Sequence, residues 1–167
     1  MALLLRKLES KVCWTATAED APWLSTGDVQ ADALKSLRTK ENALSLWHIE
    51  DDKGNLDQVV ACLWAARQAL QLIDYALLDA ELIEELGFVL QRTAGDTPSA
   101  GANQAWHREI KQLSVSKIAT LAHWMAAHAE FCRTPAKHLK SLLRSEVSAG
   151  RIDRERMDQG LRDKLSL

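Results

Sequence analysis

The tightest grouping of residues able to do acid–base chemistry in this sequence is His48 followed by Asp51 and Asp52. An imidazole close to two carboxylates can move protons or help to hold a divalent ion. The group falls where a strand-like run ends and a turn begins, a common place for catalytic residues. The same run, Asp51-Asp52-Lys53-Gly54-Asn55, is also an ordinary turn by composition. A small enzyme centred on His48 with Asp51 or Asp52 is therefore one reading of the chain.

The other histidines and the cysteines argue against a metal. His123 and His128 are five residues apart in a helical stretch, which sets them about 140° apart around the axis. Helical ligand pairs use spacings of three or four. Cys13, Cys62 and Cys132 form no CxxC and have no histidine close by. The chain contains no GxGxxG, P-loop, GxSxG, HExxH or EF-hand loop. No metal, cofactor or catalytic residue is assigned on this basis, and a non-enzymatic protein is the expectation.

Three surfaces have compositions suited to binding. Trp106, His107 and Arg108 follow a polar, Gly-rich segment over about 94–104, read as a flexible loop, and tryptophan and arginine dominate interface hot spots. Glu81, Glu84 and Glu85 give a short helix after Asp79 an acidic surface that would suit a basic partner. Arg133, Lys137, Lys140 and Arg144 recur with spacings of four and three, which puts them on one helical face able to meet phosphates.

Charge is distributed unevenly behind a net value of −2. Residues 1–90 carry 8 basic and 15 acidic side chains, and residues 91–167 carry 13 basic and 8 acidic. A pI near 6.2 lacks the basic signature of a nucleic-acid binder, so nucleic acid is the lesser partner and another protein the leading one. Six tryptophans against one tyrosine and two phenylalanines are the compositional outlier. Most are expected in the core, and any that stands exposed would mark a contact surface. The apolar run before Arg6-Lys7 is too short for a signal peptide, and nothing approaches a membrane span, so the expectation is a cytoplasmic chain with reduced thiols and no membrane partner.

The elements that must position these residues are read from periodicity. The alternation in 10–17 predicts a strand, 27–38 a short helix, 43–50 a second strand and 88–92 a third. Leu56, Val59, Leu63, Ala66, Leu70, Ile73 and Leu77 recur at helical spacing, which predicts one long helix capped by Asn55. Asp79 caps a second helix that ends at Gly87. Further helices are predicted over 117–132 from Ser116, over 135–148 from Thr134-Pro135, and from Asp153 to about 164. The expected fold is α+β and predominantly helical, with a few short strands in the N-terminal half followed by a helical cluster, all in one domain over residues 1–167. The leading functional expectation is a protein-interaction protein such as an antitoxin, an immunity protein or a small subunit of an operon-encoded complex.

Overall fold

The computed structural model describes residues 2–17, 19–69 and 71–167. Their framework is a six-stranded sheet, antiparallel at every pairing, in the order β4-β5-β2-β1-β3-β6. The strands are β1 (Leu3–Leu8), β2 (Leu44–Ile49), β3 (Ile73–Asp79), β4 (Val89–Arg92), β5 (His107–Lys111) and β6 (Glu130–Thr134). Between and after them run α1 (Leu56–Ala65), α2 (Ala80–Glu85), α3 (Ala100–Ala105), α4 (Val115–His128), α5 (Ala136–Ser148) and α6 (Gln159–Leu165). Two short 3-10 helices span Ala31–Leu37 and Arg154–Arg156.

Both faces of the sheet are covered. On one face Leu5, Trp47 and Ile49 meet Val60 and Trp64 of α1, Leu139 and Leu143 of α5, and Leu161 of α6. On the other, Leu4, Leu8, Leu44 and Leu46 meet Leu37 of the first 3-10 helix and Leu121 and Met125 of α4. Full burial of each such side chain is worth about 1.5–3 kcal/mol, and β1 and β3 are apolar over most of their length, with Arg6, Lys7, Asp74 and Asp79 the charged residues within them.

That two-sided burial corrects the predicted fold. The fold is α+β, but strands are spread through the chain instead of preceding a helical cluster, and β5 and β6 lie in the second half. The predicted long helix stops at Ala65, and Ile73–Asp79 is a strand buried on both faces. Ile73 and Leu77 are four apart, an even spacing that satisfies a strand as well as a helix. Leu70 of that seam lies outside the described residues. Residues 11–15 form a turn instead of a strand, with Val12 56% exposed, and β1 is the apolar run just before them. The helix predicted at 27–38 is the shorter 3-10 turn, and the one predicted from Asp153 breaks into the second 3-10 turn and α6, capped separately by Asp158. The last predicted residue of the 117–132 helix, Cys132, is in β6, and the capping serine is Ser114, not Ser116. Pro135 occupies the cap of α5 itself. Asn55 turns its amide away from the helix, accepting from Glu50 N–H at 3.0 Å and donating to the His48 carbonyl at 3.0 Å.

Several local expectations hold. β2, β4 and α5 lie where the pattern placed them. Asp79 accepts from the Glu81 and Leu82 amides at the start of α2, and Gly87 and Gly150 take the left-handed conformation after α2 and α5. No helix among the described residues is long and apolar enough to cross a membrane.

Residues 9–43 form a long connection between β1 and β2, and it is tied down by a few polar contacts. The Asp74 carboxylate, only 3% exposed, accepts from Lys11 N–H at 2.8 Å and from Arg133 at 2.7 and 2.9 Å. Ser36 Oγ accepts from Glu9 N–H and from the indole N–H of Trp14, which stacks on Phe131. Burial alone would raise the Asp74 pKa, but the Arg133 guanidinium and the Lys11 amide outweigh it and hold the carboxyl below its ordinary value. A depressed carboxyl pKa adds stability that is present at neutral pH and is lost as pH falls through the folded-state value. Asp74→Asn should therefore destabilise the protein at pH 7 by about 1–3 kcal/mol. Urea unfolding of both proteins across the acid range should show that gap closing at pH values below about 4.

Candidate functional site

The segment over about 94–104, expected as a flexible loop, contains α3 and forms a hydrogen-bonded shelf beside the sheet. Ser99 caps α3 by accepting from Ala102 N–H. Asn103 Oδ1 accepts from the amide and the hydroxyl of Thr97 at 3.0 and 2.7 Å, and its Nδ2 donates to the Thr97 carbonyl at 2.9 Å. All three of these polar residues are buried. Backbone without a ladder must find partners elsewhere, and this side-chain knot supplies them.

The residues read as a hot spot are drawn into that shelf. Trp106 is half-buried against the core that holds α1. His107 is buried, edge-on to Trp47, with Nδ1 2.9 Å from Thr93 Oγ1. Burial holds the His107 pKa below its ordinary value, with Glu109 pulling the other way. Arg108 donates to the carbonyls of Ala105 and His107, and Arg92, directly across the sheet, donates twice to that of Gln104. Burial and the charge of Arg92 both lower the Arg108 pKa, while both guanidiniums donate to carbonyls at the end of α3.

The other named residues are scattered over the surface. Glu81, Glu84 and Glu85 are exposed on α2 and enter none of the ion pairs among the described residues. Of the basic stripe, Arg133 is on β6 and paired with Asp74, and Arg144 donates twice to the Leu165 carbonyl. Lys137 and Lys140 remain on the α5 surface. His48 is half-buried in β2, its pKa lowered by burial and by Arg108. Asp52 accepts from Gly54 N–H at 2.8 Å, which closes the turn. Among the described residues, no group of three or more histidine, cysteine, aspartate or glutamate side chains is gathered to hold a metal. The Cys62 thiol, fully buried, is pushed up to about 11 by that burial.

Trp23 was legible only as one of six tryptophans, and it is the residue the structure sets apart. It is 72% exposed, whereas Trp14, Trp47 and Trp64 are buried and Trp106 and Trp124 half-buried. It borders an open groove of about 340 Å³ whose walls include Val29 and Leu34 on one side and Ala119 and Ala122 of α4 on the other. Leu34 is itself 46% exposed. Glu19, Asp20, Asp28 and Asp32, all exposed, lie within this segment, and no lysine or arginine occurs between residues 12 and 34. His123 approaches Asp28 at 3.5 Å at the groove wall.

No family model, curated protein or solved structure matches this chain.

The shelf has one steric requirement that can be tested. A Cβ on Gly95 would lie 2.9 Å from Asn103 Oδ1, 2.9 Å from the Trp47 ring and 3.1 Å from the His107 ring. All three side chains are buried and fixed, so Gly95→Ala is expected to cost about 1–3 kcal/mol through overpacking. Chemical denaturation of the variant measures the loss. Gly101→Ala, where a Cβ meets nothing within 4 Å in α3, is the control and should hold or slightly raise the midpoint.

Proposed function

We propose that this protein is a non-enzymatic interaction protein whose partner is another protein, as an antitoxin, an immunity protein or a small subunit of a complex would be. The observation that carries the reading is Trp23, 72% exposed at the border of an apolar groove. A large aromatic left in water forgoes the stabilisation that its burial would bring, and such side chains are the usual anchors of protein interfaces. Leu34 extends the apolar surface beside it. Asp28 lines the groove, and Glu19, Asp20 and Asp32 are exposed in the same stretch of chain, which carries no lysine or arginine from residue 12 to residue 34. The complementary partner presents an apolar side chain for the groove, flanked by lysine or arginine, and the acidic surround steers its approach. Glu81, Glu84 and Glu85 lie on a separate exposed helix, and they add to the acidic character of the first half of the chain.

The test is capture of the partner from the native host by tagged protein, followed by measurement of affinity with the purified pair. Trp23→Ala should weaken the complex by about thirtyfold or more, the effect of losing one hot-spot tryptophan. Leu34→Asp should weaken it too, and the circular dichroism of both variants should match the parent. Glu84→Lys should have the smaller effect. A complex whose affinity is untouched by Trp23→Ala would refute this surface.

A further inference from the structure

β1 and β2 run side by side over three residue pairs only, Leu3 with Ile49 through Leu5 with Trp47. Beyond that point β1 stays paired with β3 as far as Leu8, and β2 stays paired with β5 back to Leu44. The two central strands therefore part after Leu5. A cleft of about 350 Å³ lies where they part, with Arg6 and Lys7 from one strand and Ser45 and Trp47 from the other on its walls.

Arg6 spans the parting. Its Nε donates to the Ser36 carbonyl at 2.7 Å and its Nη1 to the Ser45 carbonyl at 2.7 Å. Both acceptors are neutral, and among the described residues no carboxylate pairs with this guanidinium. Nη2 has no hydrogen-bond partner among them either. Burial pulls the Arg6 pKa down to about 10, which leaves it fully charged at neutral pH. Arg6 is half-buried, and a guanidinium partly withdrawn from water is best accommodated beside a counter-ion.

The surrounding side chains add to the imbalance. Lys7, Arg38 and Arg67 also line the cleft, and none of them enters an ion pair among the described residues. Lys35 is neutralised by Asp32 at 2.9 Å, and Asp96 by Arg156 at 3.1 Å. Four cations thus face one carboxylate, that of Glu9. Burial lowers the Lys7 pKa, and Arg67 and Arg6 lower it further while Glu9 opposes them. Like charges are crowded here, and Glu9 relieves them only in part. Beside them Trp47, Leu63 and Ala66 give the wall an apolar part, and Thr97 and Ser45 bring hydroxyls.

We propose that this cleft binds a small organic phosphate carrying at least two negative charges, with the phosphate on Arg6, Arg38 and Arg67 and the organic part against Leu63, Ala66 and Trp47. Planar guanidinium groups match phosphate oxygens two at a time, which a point charge does not. A monocarboxylate would leave most of the positive charge unanswered. The volume is that of a small-ligand site. The cleft shares no lining residue with the Trp23 groove, so either assignment stands or falls without the other.

Titration calorimetry of the full chain at low salt, with inorganic pyrophosphate, AMP and adenosine as probes, tests this. Pyrophosphate and AMP should bind saturably, and adenosine, which lacks the phosphate, should not. Arg6 also ties the first 3-10 helix to β2 and its loss risks the fold, so the informative variant is Arg38→Gln with Arg67→Gln, checked by its melting curve. Its affinity for both anions should fall by about tenfold or more, whereas Lys137→Gln, on α5, should leave it unchanged. Absence of saturable binding by the parent protein overturns the proposal, as does equal binding by the double variant. Preferential binding of a single-stranded RNA over both small anions would overturn it too, by making the cleft part of a nucleic-acid track.

Discussion

Everything in this molecule is arranged around strands that are buried on both faces. β1 and β3 sit inside the sheet with helices above and below, so Leu4, Leu5, Ala76, Leu77 and Leu78 all turn away from water. Polar groups on such strands are tolerated only near their ends or with dedicated partners. Asp74 is near the start of β3 and has its two partners, one from the chain segment after β1 and one from β6. Arg6 and Lys7 are near the end of β1, where the neighbouring strand has already moved away. The charged cleft and the polar tether are both consequences of where the apolar layer runs out.

The same constraint explains which parts of the fold were legible. Some signals that act within one turn of chain are legible, because the groups that satisfy them are neighbours in sequence, although Asn55 and Ser116 do not cap the helices predicted from them. Asp79 caps α2 with its own carboxylate, and Gly87 and Gly150 adopt positive φ at helix ends. Strands buried on both faces give no alternation to read. The apolar run of β1 reads only as too short for a signal peptide, and β3 continues a helical seam because four-residue spacings suit either geometry. β5 and β6 owe their conformation to partners far along the chain, such as Ile110 opposite Leu44 and Arg133 opposite Asp74.

The candidate sites divide along the same line. Trp106, His107 and Arg108 have the composition of an interface, yet their neighbours draw them inward. The α3 carbonyls occupy Arg108, and the core takes most of Trp106. Nothing local distinguishes Trp23 from the other five tryptophans, since exposure is a property of the packed molecule. The partners of Arg6 lie 30 and 39 residues away, so its place in a cleft had no trace in the pattern around it. Polar knots do the work of regular structure wherever the chain leaves the sheet. Asn103 closes the shelf before β5, and Ser36 gathers Glu9, Trp14 and Arg6 at the foot of the long connection.

The uneven burial of the six tryptophans has a spectroscopic consequence. Indoles enclosed by apolar side chains emit at shorter wavelengths and are shielded from dissolved quenchers, and Trp64 and Trp47 are of that kind. Trp23 faces water, so it supplies the long-wavelength, readily quenched fraction of the emission. The chain therefore carries an intrinsic reporter at the border of its apolar groove. Covering that groove would be visible as a loss of quencher access, with no dye attached and no residue replaced.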